Sequence, residues 1–295
     1  MKRMLLILNP RAGTCKANKL LPQIISIFNR ASYCVTVHVT NGPGDGHNAI
    51  GLLAQHMDLV VCCGGDGTFN ETVNGLLTNN LRIPIGYIPC GSTNDFAASL
   101  KLPTDILEAA TAIAEGTPLP YDVGQVNGRY FSYVASFGAF TRSSYATSQR
   151  MKNSFGFLAY LLSGIREVAS IHSVPVRLEL DDQVIEDSFI FGAISNSTRV
   201  GRVLTLDPHR VDMADGKLEL MLIRPPKDLA ELTGCIRKLQ LQQYDSRMIT
   251  FHSLEKLRLH CPAGTIWTLD GERYDAPEDL EISNVYHAFE LMQKG

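Results

Sequence analysis

The sequence predicts two folded parts: an α/β domain whose Rossmann-like parallel sheet carries helices on both faces, followed by an antiparallel β-sandwich. Up to about residue 121, apolar strand patterns alternate with amphipathic helix patterns, which implies a parallel sheet with helical crossovers. Beyond that point short alternating segments dominate, the pattern of an antiparallel sandwich. A chain of 295 residues is also long for one ordinary domain. The expected division is residues 1–121, completed by about 286–295, and residues 122–285, with a short hinge near Pro118–Asp122.

In the first part, strands are expected at Met4–Leu8, Tyr33–Val39, Asp58–Cys63 and Ile83–Ile88. Asp58–Cys63 is short, β-branched and without alternation, as a strand buried on both faces should be. Helices are expected at Lys16–Asn29, Gly46–Gln55, Phe69–Leu77 and Ile106–Glu115. The first has a broad apolar face of Leu20, Leu21, Ile24, Ile25, Ile27 and Phe28. In the second part, strands are expected at Tyr121–Val126, Tyr130–Ser136, Val174–Leu180, Phe189–Ser195, Lys217–Ile223, Leu254–His260 and Thr265–Leu269. Helical insertions are expected at about Ser148–Ala169 and Lys227–Leu241, and Ala288–Met292 returns to the first domain.

The stretch Gly64-Gly65-Asp66-Gly67-Thr68-Phe69-Asn70-Glu71 joins a strand to a helix. Such a turn leaves backbone N–H groups at the positive end of a helix, which is a phosphate cradle. Glycine admits close approach, and Asp66 adds a carboxylate that can order Mg²⁺ or its water shell. Gly67 is expected to need positive φ or close phosphate approach, while Thr68 and Glu71 have capping-box spacing. Ligands of open α/β sheets bind beyond the carboxyl ends of the strands. There the chain places Asn9-Pro10-Arg11-Ala12-Gly13 and Gly91-Ser92-Thr93-Asn94-Asp95 as well. Asp95 is either a second group of a Mg²⁺–water network or a partner of Ser92 as helix cap. In Thr268-x-Asp270-x-Glu272, period-two alternation sets both carboxylates on one strand face. Paired carboxylates near polyphosphate can leave one as a base; an exposed β-turn is the plainer alternative.

Hydrophobic content of 45% and charged content of 19% describe a folded globular chain. A net charge of −3 argues against nucleic-acid binding. The longest apolar run, Phe155–Gly164, is about half of the ~20 residues that a spanning helix needs. Met4–Leu8 is broken by Asn9-Pro10, so it is expected to be a first strand, not an export signal. Seven scattered cysteines suggest free thiols in a reducing cytoplasm, and no spacing suggests zinc. There is no Walker A sequence and no protein-kinase motif set.

Gly64–Glu71, Gly91–Ala97, Asp215-Gly216-Lys217-Leu218 and Leu269-Asp270-Gly271-Glu272 occur in that order after Asn9-Pro10-x-Ala-Gly13. Together they resemble the diacylglycerol-kinase catalytic-domain family, over essentially the whole chain. Asn94-Asp95-Phe96-Ala97 separates that family from NAD kinases and phosphofructokinases, which share the glycine turn. The resemblance implies an NAD-kinase/diacylglycerol-kinase-like fold and an ATP-dependent lipid kinase, with diacylglycerol the default acceptor. Phosphatidylglycerol, a sphingoid base or a soluble alcohol are other acceptors, and a catalytically silent binding protein is the alternative from another class. It implies ATP at Asn9, Gly13, Thr40, Gly64, Gly65, Asp66, Gly67, Thr68, Phe69, Asn70 and Ser92, with Mg²⁺. The proton acceptor is expected in Asp-Gly-Glu: Glu272, with Asp270 as partner or as the base itself. At Asp215 the resemblance implies a structural metal, with carbonyls from Asp212 and Lys217; an Asp-Gly hairpin turn is the alternative. Phe137-Gly138-Ala139-Phe140 and the run Phe155–Ile165 fit an acyl groove and an ordinary core helix equally well. Two positions depart from the family pattern: Thr14 follows the first-loop glycine where relatives often carry a basic residue, and Gly201-Arg202-Val203 stands where a glycine run is usual. Contact with a lipid surface is expected to be peripheral, local basic residues Arg142, Arg150 and Lys152 meeting headgroups, and a homodimer stays open.

Overall fold

The computed structural model describes residues 1–138, 172–180, 183–200, 204–244 and 246–294. The expected helix at Ser148–Ala169, its apolar run and basic residues, Ala139-Phe140 and Gly201–Val203 lie outside the described residues. The chain divides into two compact units, Met1–Val123 with Tyr286–Gly295, and Gly124–Val285.

The first unit contains a parallel sheet in the order β2 (Tyr33–Val39), β1 (Lys2–Leu8), β3 (Leu59–Gly64), β4 (Ile85–Pro89). Alternate residues of the central strands point to opposite faces, and both faces are covered. On one face Met4, Leu6, Leu8, Leu59, Val61, Cys63 and Ile88 pack on α1 (Lys16–Arg30) and on Ala109, Ala110 and Ile113. Leu5, Ile7, Val60, Cys62 and Tyr87 are buried on the other, where α2 (Asp45–Leu53) and α3 (Asp66–Thr78) lie. The helix α3 starts three residues earlier than the sequence pattern suggests, with Gly65 as N-cap, so Thr68 lies within it. Glu71 therefore makes no capping box. Its carboxylate accepts from the N–H groups of Gly44 (2.7 Å) and Gly46 (3.0 Å), capping the neighbouring α2. Two short elements follow β4: α4 (Asp95–Ser99), which starts later than a cap at Ser92 would set it, and α5 (Ile106–Glu115), capped by Asp105 through Leu107 and Glu108 N–H.

The chain leaves this unit along β5 (Thr117–Val126) and enters the second through β6 (Arg129–Phe131). One antiparallel sheet has the order β14 (Ile249–Leu254), β13 (Leu218–Ile223), β10 (Phe191–Ser195), β7 (Val134–Gly138), β16 (Ile266–Leu269), β17 (Glu272–Asp275). Facing it are β9 (Val184–Phe189), β8 (Val174–Glu179), β15 (Lys256–His260) and the first half of β18 (Asp279–Gln293). Leu218, Leu220, Leu222, Phe137 and Trp267 from one sheet meet Leu178, Leu257, Leu259, Leu280 and Ile282 from the other. This is a β-sandwich core. The small ladder β11 (Arg199–Val200) with β12 (Leu204–Thr205) and the helix α6 (Leu229–Gln240) complete the described unit. The second half of β18 belongs to the first unit, where Leu291 pairs with Ile85 and Phe289 packs beside Phe69 and Phe96.

Candidate active site

Three loops converge at the carboxyl ends of β1, β3 and β4. The first, 9–13, is tied to the second by Asn9, whose Nδ2 donates to Thr68 Oγ1 (3.0 Å) and whose backbone N–H donates to Cys63 O (2.9 Å). Asn9 Oδ1 accepts from Arg11 N–H, which folds the loop on itself. Gly13 sits at φ +52, and a Cβ there would lie 2.2 Å from Cys90 O. The second and third loops touch through bare backbone, because a Cβ on Gly91 would stand 2.5 Å from Gly65 Cα. Only glycine permits that approach.

Gly67 differs from these. Its φ is not in the left-handed region, and nothing lies within 4 Å of the position a Cβ would take. The positive-φ alternative is therefore excluded, and open space beside the first turn of α3 is what remains. No side chain caps that helix. An uncapped helix start with an open glycine in its first turn suits polyphosphate, whose oxygens accept from backbone N–H groups.

Asp66 is half-buried at the head of α3, and its carboxylate accepts from Asp95 N–H (3.1 Å) and Phe96 N–H (3.3 Å). Burial raises its pKa above the ordinary carboxylate value, while those N–H groups pull it back down. A cation would favour the ionised form of such a group. Asp95 is buried as the first residue of α4. The N-cap of α4 is Asn94 in the left-handed conformation, so Ser92 is not the cap. Asn94 closes its loop instead: Oδ1 accepts from Gly91 N–H (2.9 Å) and Nδ2 donates to Gly91 O (3.0 Å). The sequence reading missed this clasp, although a lone Asn before Asp-Phe-Ala tolerates φ > 0 better than most residues. Phe69 is wholly buried, stacked on Phe96 (4.4 Å) and Tyr87 (4.6 Å), so only its backbone faces the loops. Thr40 is buried at the end of β2 with its N–H on Leu8 O; Asn70 is half-buried and Ser92 exposed.

In the second unit, Asp270 and Gly271 form the two-residue turn between β16 and β17, at φ +49 and +81, with Leu269 paired to Glu272. The chain reverses there, so period-two alternation does not run through the pair and the two carboxylates do not share a strand face. The turn is nevertheless not a plain exposed one. Asp270 is buried, and its carboxylate accepts from Ser132 N–H (2.6 Å), Tyr133 N–H (2.9 Å) and Val134 N–H (3.0 Å). Glu272 opens β17 and is exposed.

Asp215 precedes Gly216 at φ +82 and accepts from Lys217 N–H (2.9 Å), while Asp212 accepts from Ala214 N–H (3.0 Å). The turn joins no hairpin, because β13 pairs with β10 and β14. Among the described residues no three His, Cys, Asp or Glu side chains converge as a metal cluster. The Lys217 carbonyl accepts from Asn284 Nδ2 (3.0 Å). Next along β13, Glu219 is 1% exposed, and hydrogen bonding from Ser253, its partner on β14, offsets only part of its desolvation. Burial pushes its pKa up to about 8, with the Asp215 carboxylate adding to the rise.

This pairing of a Rossmann-like unit bearing a Gly-Gly-Asp-Gly cradle with a β-sandwich bearing an Asp-Gly-Glu turn defines a class of phosphotransferases. The diacylglycerol kinase catalytic domain matches residues 3–126, and the YegS C-terminal NAD kinase beta sandwich-like domain matches residues 134–283. A diacylglycerol kinase of Bacillus subtilis (strain 168) is 32% identical over 297 aligned positions, covering 100% of this chain and 97% of its own. One from Staphylococcus carnosus (strain TM300) is 34% identical over 233, covering 78% of this chain and 75% of its own. A crystal structure of a candidate diacylglycerol kinase from Bacillus anthracis str. Sterne superposes with a TM-score of 0.84 at 25% identity, covering 99% of this chain and 95% of that one. The chain belongs to the diacylglycerol kinase family, and it is a lipid kinase. No helix among the described residues is long and apolar enough to cross a membrane.

Proposed function

We propose that this kinase transfers the γ-phosphoryl group of ATP to the free hydroxyl of diacylglycerol, giving phosphatidic acid. The three-loop cradle with open space at Gly67 carries the reading, and the names of the relatives support the acceptor. Bound Mg²⁺·ATP supplies the phosphoryl group and neutralises part of its charge. The turn Gly64–Asn70, with Asn9, Gly13, Thr40 and Ser92, fixes the polyphosphate. Asp66 and Asp95 order the Mg²⁺ and its waters. Glu272 accepts the proton of the attacking hydroxyl. Asp270 holds the turn that presents Glu272, since both its oxygens are already engaged by backbone N–H groups. Asp215, with the carbonyls of Asp212 and Lys217, holds a structural cation. The enzyme is cytoplasmic and meets its lipid peripherally, at the inner face of the membrane.

The test is to incubate the protein with Mg²⁺, radiolabelled ATP and a total lipid extract, then separate the lipids. Label in phosphatidic acid is expected. Label in another lipid changes the acceptor, and no label in any lipid removes the reading. Glu272→Gln should lower kcat far more than it changes ATP affinity; a nearly unaltered kcat, with Asp270→Asn crippled, moves the base to Asp270.

A further inference from the structure

The cradle is anchored on two cysteines that the phosphoryl-transfer reading leaves unused. Cys63 lies in β3 one residue before Gly64-Gly65, and Cys90 follows β4 one residue before Gly91. Their sulfurs are 3.3 Å apart. Alternation along β3 turns the adjacent Cys62 to the opposite face, so the pair is Cys63 with Cys90 alone. Every loop of the cradle hangs on the backbone of these two residues. Cys63 O accepts from Asn9 N–H, Cys90 N–H donates to Gly64 O (2.7 Å), and Gly13 packs on Cys90 O.

We propose that Cys63 and Cys90 form a reversible peroxide-modified dithiol whose oxidation to a disulfide distorts the phosphate cradle. The two positions are unequal in the way such chemistry needs. Cys90 is half-buried and Cys63 fully buried. The hydrogen bond between them lowers the pKa of Cys90, and that bond together with burial raises Cys63. Cys90, the more accessible and the more acidic of the two, is thus the point of entry, and Cys63 the resolving thiol. Cys90 Sγ also donates to Ile88 O (3.4 Å), a contact that leaves the sulfur lone pairs open. In the first step Cys90 Sγ attacks one oxygen of hydrogen peroxide, the O–O bond breaks, and the hydroxide released takes up a proton to leave as water. Cys90 is then a sulfenic acid. In the second step Cys63 Sγ attacks the Cys90 sulfur and the S–O bond breaks. The departing hydroxyl takes the Cys63 proton and leaves as water. Two thiols lose two electrons and one peroxide gains them.

A disulfide requires sulfurs about 2.05 Å apart, so they must close by more than 1 Å from their present 3.3 Å separation. That movement acts one residue away from both glycine turns, whose contact through bare backbone leaves no slack. A misplacement of about 1 Å in a catalytic constellation can cost about 10²-fold in rate, and a loss of that size is expected here.

The experiment treats the reduced protein with stoichiometric hydrogen peroxide and maps its non-reduced peptides by mass spectrometry. Lipid-kinase turnover and ATP binding are followed in parallel. The expected result is a peptide linking Cys63 to Cys90, a roughly 10²-fold fall in turnover, and recovery of both on adding dithiothreitol. In Cys63→Ala no linkage forms and Cys90 stops at sulfenic acid, trapped by dimedone; in Cys90→Ser neither product appears. Exposed Cys15 and Cys34 act as internal controls for unselective oxidation. Oxidation spread over those two, with no 63–90 linkage in the folded protein, overturns the proposal. So does a full 63–90 linkage that leaves ATP binding and turnover unchanged. The proposal builds on the nucleotide reading of the cradle, but the linkage is read by mass alone. A reduced protein that binds no ATP therefore defeats that reading and leaves the dithiol to be decided by the peptide map and by hydrogen exchange of the two turns.

Discussion

The glycine cradle of the first unit and the Asp270 turn of the second are built in opposite ways. The cradle is made of backbone, with close approaches that exclude a Cβ at Gly13 and Gly91 and with space left open at Gly67. The Asp270 turn is made by one buried carboxylate that serves three N–H groups of residues 132–134, 136 to 138 positions away in sequence. The first kind of site is held by what its residues lack, the second by what one residue supplies. A change at the open glycine should therefore cost function, whereas a change at Asp270 should cost stability first.

The largest effect is expected at Asp270. Asp270→Ala leaves three buried donors without an acceptor, at about 1–3 kcal/mol apiece, so a loss of about 3 kcal/mol or more is expected by denaturant unfolding. Asp270→Asn keeps the oxygen that serves Tyr133 and Val134 and should lose less. An Asp270→Ala protein with unchanged stability but no turnover would erase the contrast and make Asp270 purely catalytic. Next comes Gly67→Val, which meets no neighbouring atom. It should leave the melting temperature near wild type while lowering turnover roughly 10²–10³-fold, about 2.7–4 kcal/mol of lost charge stabilisation. Near-normal turnover would remove phosphate from that place.

A smaller effect sharpens the comparison inside the second unit, because Glu219 is a buried carboxylate whose desolvation outweighs its hydrogen bonding, where Asp270 is served by three N–H groups. The Glu219 pKa rises from 4.5 unfolded to about 8 folded. Between those values the folded state holds a proton that the unfolded state has released. Stability should therefore fall as pH rises through that window, by at most about 1.4 kcal/mol per pH unit for one proton. Glu219→Gln should flatten the slope, so the variant gains on wild type more at pH ~8 than at pH ~5. Equal slopes in thermal unfolding would acquit Glu219.

What the sequence revealed follows the same division. Tyr33–Val39 and Ile106–Glu115 are read to the residue because periodicity, turn residues and the Asp105 cap agree locally. The cradle loops are legible because glycine spacing is itself the physics. Glu71 was misplaced because its partners, Gly44 and Gly46, lie 25 to 27 residues away. At Asp270–Gly271 the sequence leaves strand and turn both open, because Trp267-Thr268-Leu269-Asp270 alternates as a strand does, and the pairing of Leu269 with Glu272 shows the bend. Leu254–His260, expected as one strand, is shared between β14 and β15, which lie in different sheets. Sequence periodicity cannot register a change of sheet when the residues on both sides of it alternate.

The last strand sets an order of events during synthesis. Residues up to Val123 emerge from the ribosome before Gly124–Val285, yet their unit also contains Tyr286–Gly295. His287 N–H donates to Asp122 Oδ1, Arg82 donates to His287 O, and Leu291 closes the free edge of β4. Until those residues are made, β4 presents an unpaired edge, a template for pairing with another nascent chain. The first unit is therefore begun before the second and completed only after it, and a chaperone that shields an exposed strand edge would act on it throughout that interval.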